Sequence, residues 1–123
     1  MQDQDCIFCK IINKEIPSEI IKETENVLVI KDIAPKAPIH YLILPKKHIR
    51  NLHDLTDQDL NVSYEMLKTA QDIAKEIQEE NGSKKPLPFN LLVNNEAEAG
   101  QCVFHLHWHF ISGKKIFIDG SAL

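Results

Sequence analysis

Hydrophobic and polar residues alternate strictly in one segment near the C-terminus. The segment His105–Ile111 reads HLHWHFI. Alternation with a period of two is typical of a half-buried β-strand, in which successive side chains point to opposite faces. The pattern therefore predicts a strand in which the three histidines share one face. Leu106, Trp108 and Phe110 share the other face and can pack on a core.

Apolar runs and turn residues elsewhere predict the remaining elements. We expect a short helix at Phe8–Asn13, strands at Ile20–Lys22, Val27–Ile30, His40–Leu44 and Phe89–Val93, and a long helix from Thr56 to Asn81-Gly82. Thr56 and Asp59 resemble a capping box at the start of the long helix. Strands on both sides of one long helix predict a single α+β domain with an antiparallel sheet, covering residues 1–123.

The long helix is the element with the clearest helical period. Its apolar residues recur three, four or seven positions apart, at Leu60, Tyr64, Leu67, Ala74 and Ile77. Such spacing places apolar side chains near one another on a helix surface. The charged residues between them are expected to form a solvated face.

Composition and charge restrict the class of protein. A chain of 123 residues with 43% hydrophobic and 26% charged residues is long enough to bury a core. The net charge of -4 and the pI of about 5.8 argue against a general nucleic-acid or membrane-surface binder, because both depend on a basic face. The acidic N-terminal residues and the lack of a long apolar run predict a cytoplasmic protein.

Three of the chain's six histidines, His105, His107 and His109, lie within five positions. They place three groups that titrate near neutral pH in one small volume, and such clusters concentrate at functional sites. They can bind a metal such as Zn²⁺ or perform nucleophilic and acid–base chemistry. Side chains from alternate positions of one strand lie in a line, whereas a tetrahedral metal needs a ligand from another direction. The geometry therefore favours catalysis.

Cys6 and Cys9 form a C-x-x-C motif, which is either half of a metal site or a redox pair. A thioredoxin-like redox pair would follow a strand, but an acidic, polar segment precedes this motif. Zinc is therefore favoured, and histidines are the available donors for the two missing ligands. Two reduced, buried thiols without a metal remain the alternative.

Four blocks in order along the chain resemble the histidine triad (HIT) family. They read CIFCKII at 6–12, DIAPKAPIH at 32–40, LPKKHI at 44–49 and GQCVFHLHWHFI at 100–111. The resemblance is closest to the Hint-like branch of nucleoside phosphoramidate hydrolases. It implies a five-stranded antiparallel sheet with the long helix across one face and a short N-terminal helix. It also implies a homodimer joined through the long helix and the fourth-strand region.

The same resemblance implies catalytic roles for four histidines. His107 matches the nucleophile that forms a nucleotidyl-histidine intermediate, and the carbonyl of His105 is expected to hold its other ring nitrogen. His109 matches a donor to a phosphate oxygen. His40 matches a fourth histidine that reaches the triad from a separate strand, although the residue alone is equally explained as a structural strand residue.

A zinc site and a nucleotide pocket are implied as well. Together with Cys6 and Cys9, the resemblance nominates His48 and His105 as zinc ligands. Asp32 matches an acceptor for ribose hydroxyls, and Asn94 a contact near the phosphate. The phosphate-binding loop is matched by Gly100, Gln101, Cys102 and Val103. The purine slot is matched by Ile7, Phe8, Ile11, Ile30 and Ile33, any of which can equally be plain core.

The resemblance implies an enzyme that hydrolyses the P–N bond of adenosine or guanosine 5′-phosphoramidates. The alternatives are a dinucleoside polyphosphate hydrolase and a nucleotide-binding regulatory module without turnover. Cys102 departs from the family, in which serine is common at this position, and a thiol is the weaker hydrogen-bond donor. The segment Gly113–Leu123 matches no family pattern.

Overall fold

The computed structural model describes residues 5–118 and 121–122. The helices are α1 (Ile7–Ile12) and α2 (Leu60–Glu80), and the strands are β1 (Ile20–Glu23), β2 (Val27–Lys31), β3 (Ile39–Pro45), β4 (Asn90–Val93), β5 (Trp108–Ser112), β6 (Phe117–Ile118) and β7 (Ser121–Ala122). Short 3₁₀ turns lie at Leu52–Asp54, Asp57–Asp59 and Ala97–Ala99. In the described part, no helix has the length and apolar character that a membrane span requires.

Five strands form one antiparallel sheet in the order β1-β2-β3-β5-β4, and β6 pairs with β7 separately. The central strands β2, β3 and β5 are mostly buried. On one face, Met66, Ala70 and Ile73 of α2 pack against a core that includes Phe110. On the other face, α1 packs through residues such as Phe8. The predicted α+β fold, with the long helix across one face of a five-stranded sheet, is confirmed.

The alternation in the histidine segment is confirmed, but the predicted strand is too long. Leu106, Trp108 and Phe110 lie in the core beneath α2, whereas β5 begins only at Trp108. Extending the ladder by two residues beyond the pair Ile43–Trp108 would bring Pro45 opposite Leu106. Proline has no N–H to continue the ladder, and the Leu106 N–H donates instead to the carbonyl of Ile49 at 2.6 Å.

The ends of the two helices differ from the sequence prediction by a few residues. α1 spans Ile7–Ile12 rather than Phe8–Asn13, and Asn13 is its C-cap. α2 begins at Leu60 because the residues after Thr56 form a 3₁₀ turn. The predicted capping contact exists within that turn, since the Thr56 N–H donates to the Asp59 carboxylate at 3.0 Å.

The apolar spacing on α2 includes more than the buried face. Ala74 and Ile77 pack against the core as expected. Leu60, Tyr64 and Leu67 remain 66%, 69% and 53% exposed. A second apolar stripe therefore lies on the outer surface of α2, beside the face that covers the sheet.

Candidate active site and metal cluster

A cavity of about 540 Å³ opens between α1, the loop after β2, the loop before the histidine segment and the sheet. It brings together most residues that the sequence nominated for substrate: His40, His107, His109, Asp32, Asn94, Gly100, Cys102, Val103, Ile7, Phe8, Ile11, Ile30 and Ile33. Gln101 and His105 are not among the lining residues. Within the histidine segment, His107 and His109 therefore line the cavity, whereas His105 does not.

His107 is fixed in one tautomer by the backbone. Its Nδ1 lies 2.8 Å from the carbonyl oxygen of His105, which can only accept, so Nδ1 carries the hydrogen. The Nε2 atom of the neutral ring therefore keeps its lone pair. Burial lowers the pKa of His107, and the bond to the carbonyl partly offsets this. A neutral ring with a directed lone pair is the state that a nucleophile requires.

His109 is set as a hydrogen-bond donor by a chain of two bonds. The backbone N–H of Lys36 donates to His40 Nδ1 at 3.0 Å, so neutral His40 carries its hydrogen on Nε2. That atom lies 2.9 Å from His109 Nδ1, which must accept. Neutral His109 therefore carries its hydrogen on Nε2. Burial is the main cause that lowers the pKa of His109 to about 4, with His107 and His40 adding to the effect.

Asp32 lies beside this chain of histidines. One carboxylate oxygen accepts from the backbone N–H of Ala34 at 2.8 Å. The other oxygen lies 3.4 Å from His40 Nε2. His109 Nδ1 is closer to that nitrogen, at 2.9 Å. Burial lowers the pKa of His40, and the charge of Asp32 opposes that change. Asp32 thus faces the cavity with acceptor capacity left for a ligand hydroxyl group.

The loop before the histidine segment contributes to the cavity unevenly. The N–H groups of Gly100 and Gln101 already donate to the carbonyls of Ala97 and Glu96. The amides of Cys102 and Val103 are therefore the better candidates to bind phosphate. The backbone amides of Gly100 and Gln101 are thus less suited to bind phosphate than the sequence predicts.

Gln101 has a structural role in place of the predicted ligand contact. Its side chain is 4% exposed and points away from the cavity. Oε1 accepts from the Glu96 N–H at 2.8 Å and from Asn51 Nδ2 at 3.0 Å. Nε2 donates to the carbonyls of Arg50 and Val103. All of its hydrogen-bonding groups are used within the protein, so a ligand would have to displace one.

The apolar wall of the cavity combines core and exposed residues. Phe8, Ile11 and Ile30 are buried and belong to the core between α1 and the sheet. Ile33 is 99% exposed and Ile7 is 46% exposed, although both line the cavity. Exposed aliphatic side chains at a cavity mouth gain contacts when a flat apolar ring enters. Of the five predicted purine contacts, these two are hardest to explain as core.

The four predicted metal ligands form one cluster. Donor atoms of Cys6, Cys9, His48 and His105 all lie within 4.8 Å of one another. Cys6 Sγ lies 3.4 Å from His105 Nδ1, and Cys9 Sγ lies 3.3 Å from His48 Nδ1. A tetrahedral zinc ion with usual bond lengths separates sulfur and nitrogen ligands by about 3.6 Å. The donor set and its spacing therefore fit zinc.

His105 has the tautomer that such a metal needs. Its Nε2 lies 2.7 Å from the carbonyl oxygen of Pro45, so Nε2 carries the hydrogen and Nδ1 offers its lone pair to the two cysteines. Burial lowers the pKa of His105 to about 4 and keeps the ring neutral. The backbone carbonyl of His105 accepts the hydrogen bond from His107 Nδ1. One residue can therefore serve both the cluster and the cavity.

Asp32, His40 and His109 also bring donor atoms within 4.8 Å of one another. The fit to a metal is poor, because His40 Nδ1 accepts from the Lys36 N–H and the hydrogen must then stay on Nε2. A metal at Nε2 would require the hydrogen to move to Nδ1, opposite another donor. Hydrogen bonding explains this second group better than metal binding.

Sequence reasoning missed two features of the cavity region. Lys31 and Lys36 line the cavity and add positive charge near the histidines. The only signal for Lys36 was its position in the proline-rich loop. Glu96 adopts a backbone φ of 82° and ψ of 152°, which residues other than glycine rarely occupy and which costs roughly 1–3 kcal/mol. Nothing in the local sequence indicates this conformation.

Comparison with known proteins agrees with the geometry. Residues 5–117 match a family model described as "Scavenger mRNA decapping enzyme C-term binding". A solved HIT family hydrolase from Clostridium thermocellum is 37% identical with a TM-score of 0.83, covering 96% of this chain and 98% of that one. One from Legionella pneumophila is 33% identical with a TM-score of 0.82, covering 95% and 100%.

A curated relative supports the same assignment. An uncharacterized HIT-like protein from Synechocystis is 40% identical over 111 residues, which are 90% of this chain and 92% of the relative. The fold of this chain is shared with the two solved structures. The chain belongs to the histidine triad (HIT) family.

Proposed function

We propose that the protein is a purine nucleoside phosphoramidase that hydrolyses the P–N bond of adenosine or guanosine 5′-phosphoramidates. The observation that carries the proposal is the pair of opposite tautomers at the cavity. His107 has a lone pair on Nε2, and His109 has a hydrogen on Nε2. A nucleophile and a donor to a phosphate oxygen are the two groups that attack on phosphorus requires.

The reaction proceeds in two halves. His107 Nε2 attacks phosphorus, the P–N bond to the leaving amine breaks, and the amine nitrogen takes up a proton from solvent. Water then attacks the same phosphorus, gives up a proton to solvent, breaks the bond to His107 and releases the nucleoside monophosphate. His109 stabilises the charge on the phosphate oxygens in both halves. Cys102 lines the cavity as a weaker hydrogen-bond donor than serine would be.

The Cys6, Cys9, His48 and His105 cluster is proposed to hold one structural zinc ion. All four tetrahedral positions would be filled by protein, which leaves no open position for substrate. The support is the spacing of the donor atoms and the tautomer of His105. The chemistry that zinc supplies when bound is rigidity, since it would tie α1 to the histidine segment.

We also propose that the protein is a homodimer. The support is the exposed stripe formed by Leu60, Tyr64 and Leu67 on α2, together with Leu91 on β4, which is 38% exposed. A second copy of the chain would bury these apolar side chains on both subunits.

The ligand proposed for the cavity is a purine nucleotide.

A dinucleoside polyphosphate hydrolase is the second candidate, favoured by one observation. Lys31 and Lys36 both line the cavity, and two cations suit a polyphosphate better than a single phosphate. A binding module without turnover is the third possibility. It would bind AMP but form no covalent adduct at His107.

Turnover of a fluorogenic adenosine 5′-phosphoramidate and of diadenosine triphosphate distinguishes the candidates. The proposal expects much higher kcat/KM for the phosphoramidate and an adenylylated protein in rapid-quench mass spectrometry. His107→Ala should lower turnover by about 10³-fold or more while AMP still binds. Preference for the diadenosine substrate, or His107→Ala activity within tenfold of wild type, would reject the proposal.

A further inference from the structure

A polar junction outside the cavity joins the loop before the histidine segment to the chain after β3. Glu96 lies at its centre, and its carboxylate accepts from Arg50 Nη1 at 2.7 Å and from Asn51 Nδ2 at 3.0 Å. Its N–H donates to Gln101 Oε1 at 2.8 Å, and its carbonyl accepts from the Gln101 N–H at 3.1 Å. The side chain of Glu96 thus connects the two chain segments, and its backbone closes the loop onto Gln101.

Further bonds join the same two segments. Gln101 Nε2 donates to the carbonyl of Arg50 at 2.8 Å, and the Leu52 N–H donates to Asn95 Oδ1 at 2.8 Å. Asn51 is fully buried, so its bonds are shielded from water. The Arg50 ion pair is partly exposed and contributes little by itself. The strength of the junction lies in the buried amide network that the carboxylate completes.

The backbone of Glu96 argues that this carboxylate is needed. Its φ of 82° and ψ of 152° suit glycine, which would adopt them without strain. A strained backbone conformation persists only when the surrounding contacts hold it in place. Glycine would offer no acceptor for Arg50 or Asn51. The bonds of the carboxylate therefore account for a glutamate at a position that favours glycine.

We propose that Glu96 is a positioning residue for phosphate binding. By holding Arg50 and Asn51 against the loop, it fixes Asn94 and the Cys102–Val103 amides at the wall of the cavity. Glu96 itself does not line the cavity, so it acts through these residues and not by contact with a ligand. The ligand's identity rests on the proposed function, whereas the position of the loop rests on the junction alone.

The test compares Glu96→Ala, which removes the acceptor for Arg50 and Asn51, with Glu98→Ala, which truncates an exposed glutamate two positions away. Hydrogen exchange of the Cys102 and Val103 amides in the ligand-free protein reports the loop, and calorimetry with AMP reports its consequence. Glu96→Ala should speed exchange by about tenfold and weaken AMP binding by at least about fivefold, with kcat reduced less than KM is raised. Glu98→Ala should match wild type.

Two further variants separate positioning from general stability. Glu96→Gly relieves the strained backbone but should weaken AMP binding as much as Glu96→Ala does. Arg50→Gln combined with Glu96→Ala should add little to the effect of either single change, because one network carries both effects. Unchanged exchange in Glu96→Ala, faster exchange with unchanged AMP affinity, or equal effects from Glu98→Ala would each overturn the proposal. If wild type binds no AMP, the proposed function fails, and exchange alone decides whether Glu96 holds the loop.

Discussion

The hydrogen bond from His40 to His109 determines which nitrogen of His109 can donate to a phosphate oxygen. His40→Ala removes this bond and leaves His109 Nδ1, in a half-buried ring, without its donor. The neutral ring is then free to carry its hydrogen on Nδ1, in which case Nε2 no longer donates. We expect slower chemistry with little change in nucleotide binding.

The size of the effect follows from the bond that is lost. Leaving a buried acceptor unsatisfied costs about 1–3 kcal/mol. Because each 1.36 kcal/mol of barrier corresponds to tenfold in rate, kcat should fall by roughly 5- to 150-fold. His40 does not form the covalent bond, so its loss should cost less than loss of His107. AMP affinity should stay within about threefold of wild type.

His40→Gln provides the matched control. A glutamine side chain can place an N–H donor close to the position of His40 Nε2, and it should recover most of the lost kcat. Nitrogen NMR of the ligand-free protein measures the tautomer of His109 directly, with hydrogen on Nε2 in wild type and His40→Gln. A kcat for His40→Ala within twofold of wild type, or a wild-type His109 with hydrogen on Nδ1, would refute the reasoning.

Three other predictions test separate parts of the molecule. Protein purified without added metal should contain one zinc per chain, and Cys9→Ser should lose it; a wild-type content near zero contradicts the cluster assignment. Leu67→Glu on the exposed stripe of α2 should shift sedimentation from dimer to monomer, whereas Asn61→Glu on another face should not; a monomeric wild type excludes the dimer. Iodoacetamide should modify Cys102 first, and AMP should protect it. Cys102→Ser should keep turnover but no longer be inactivated by iodoacetamide. Inactivation of the serine variant at the wild-type rate would place the reactive thiol elsewhere.

Much of the fold could be predicted from sequence because its signals are local. Alternation through Leu106, Trp108 and Phe110 identified the side that packs beneath α2. The start of β5 could not be predicted, because it depends on the partner strand, in which a longer ladder would set Pro45 opposite Leu106. A period of two indicates which face a side chain takes, but pairing in space decides how many residues form a ladder.

The long helix shows the same limit. Its apolar spacing predicted a helix correctly, yet Leu60, Tyr64 and Leu67 are exposed while Met66 and Ile73 are buried. Both sets repeat at helical intervals. Sequence alone cannot say which stripe packs on the sheet, because that depends on how the connecting turns orient the helix.

The C-x-x-C motif indicated Cys6 and Cys9 of the Cys/His cluster, whereas His48, His105 and most of the cavity residues were predicted through resemblance to a family. Resemblance did not separate Gln101 from its neighbours, because both a ligand contact and a structural junction would keep a glutamine in the loop. The distinction required its four hydrogen bonds. Glu96 left no signal, since a strained backbone is a property of the folded chain.

Three histidines at alternate positions offer three equivalent rings in the sequence, and backbone atoms make them different in the fold. The carbonyl of Pro45 fixes His105 with a lone pair facing the cysteines. The carbonyl of His105 fixes His107 with a lone pair at the cavity. The N–H of Lys36 acts through His40 and gives His109 the opposite tautomer. One ring is thereby suited to bind a metal, one to attack and one to donate, and a substitution that moves any of these backbone atoms would alter the chemistry without changing a histidine.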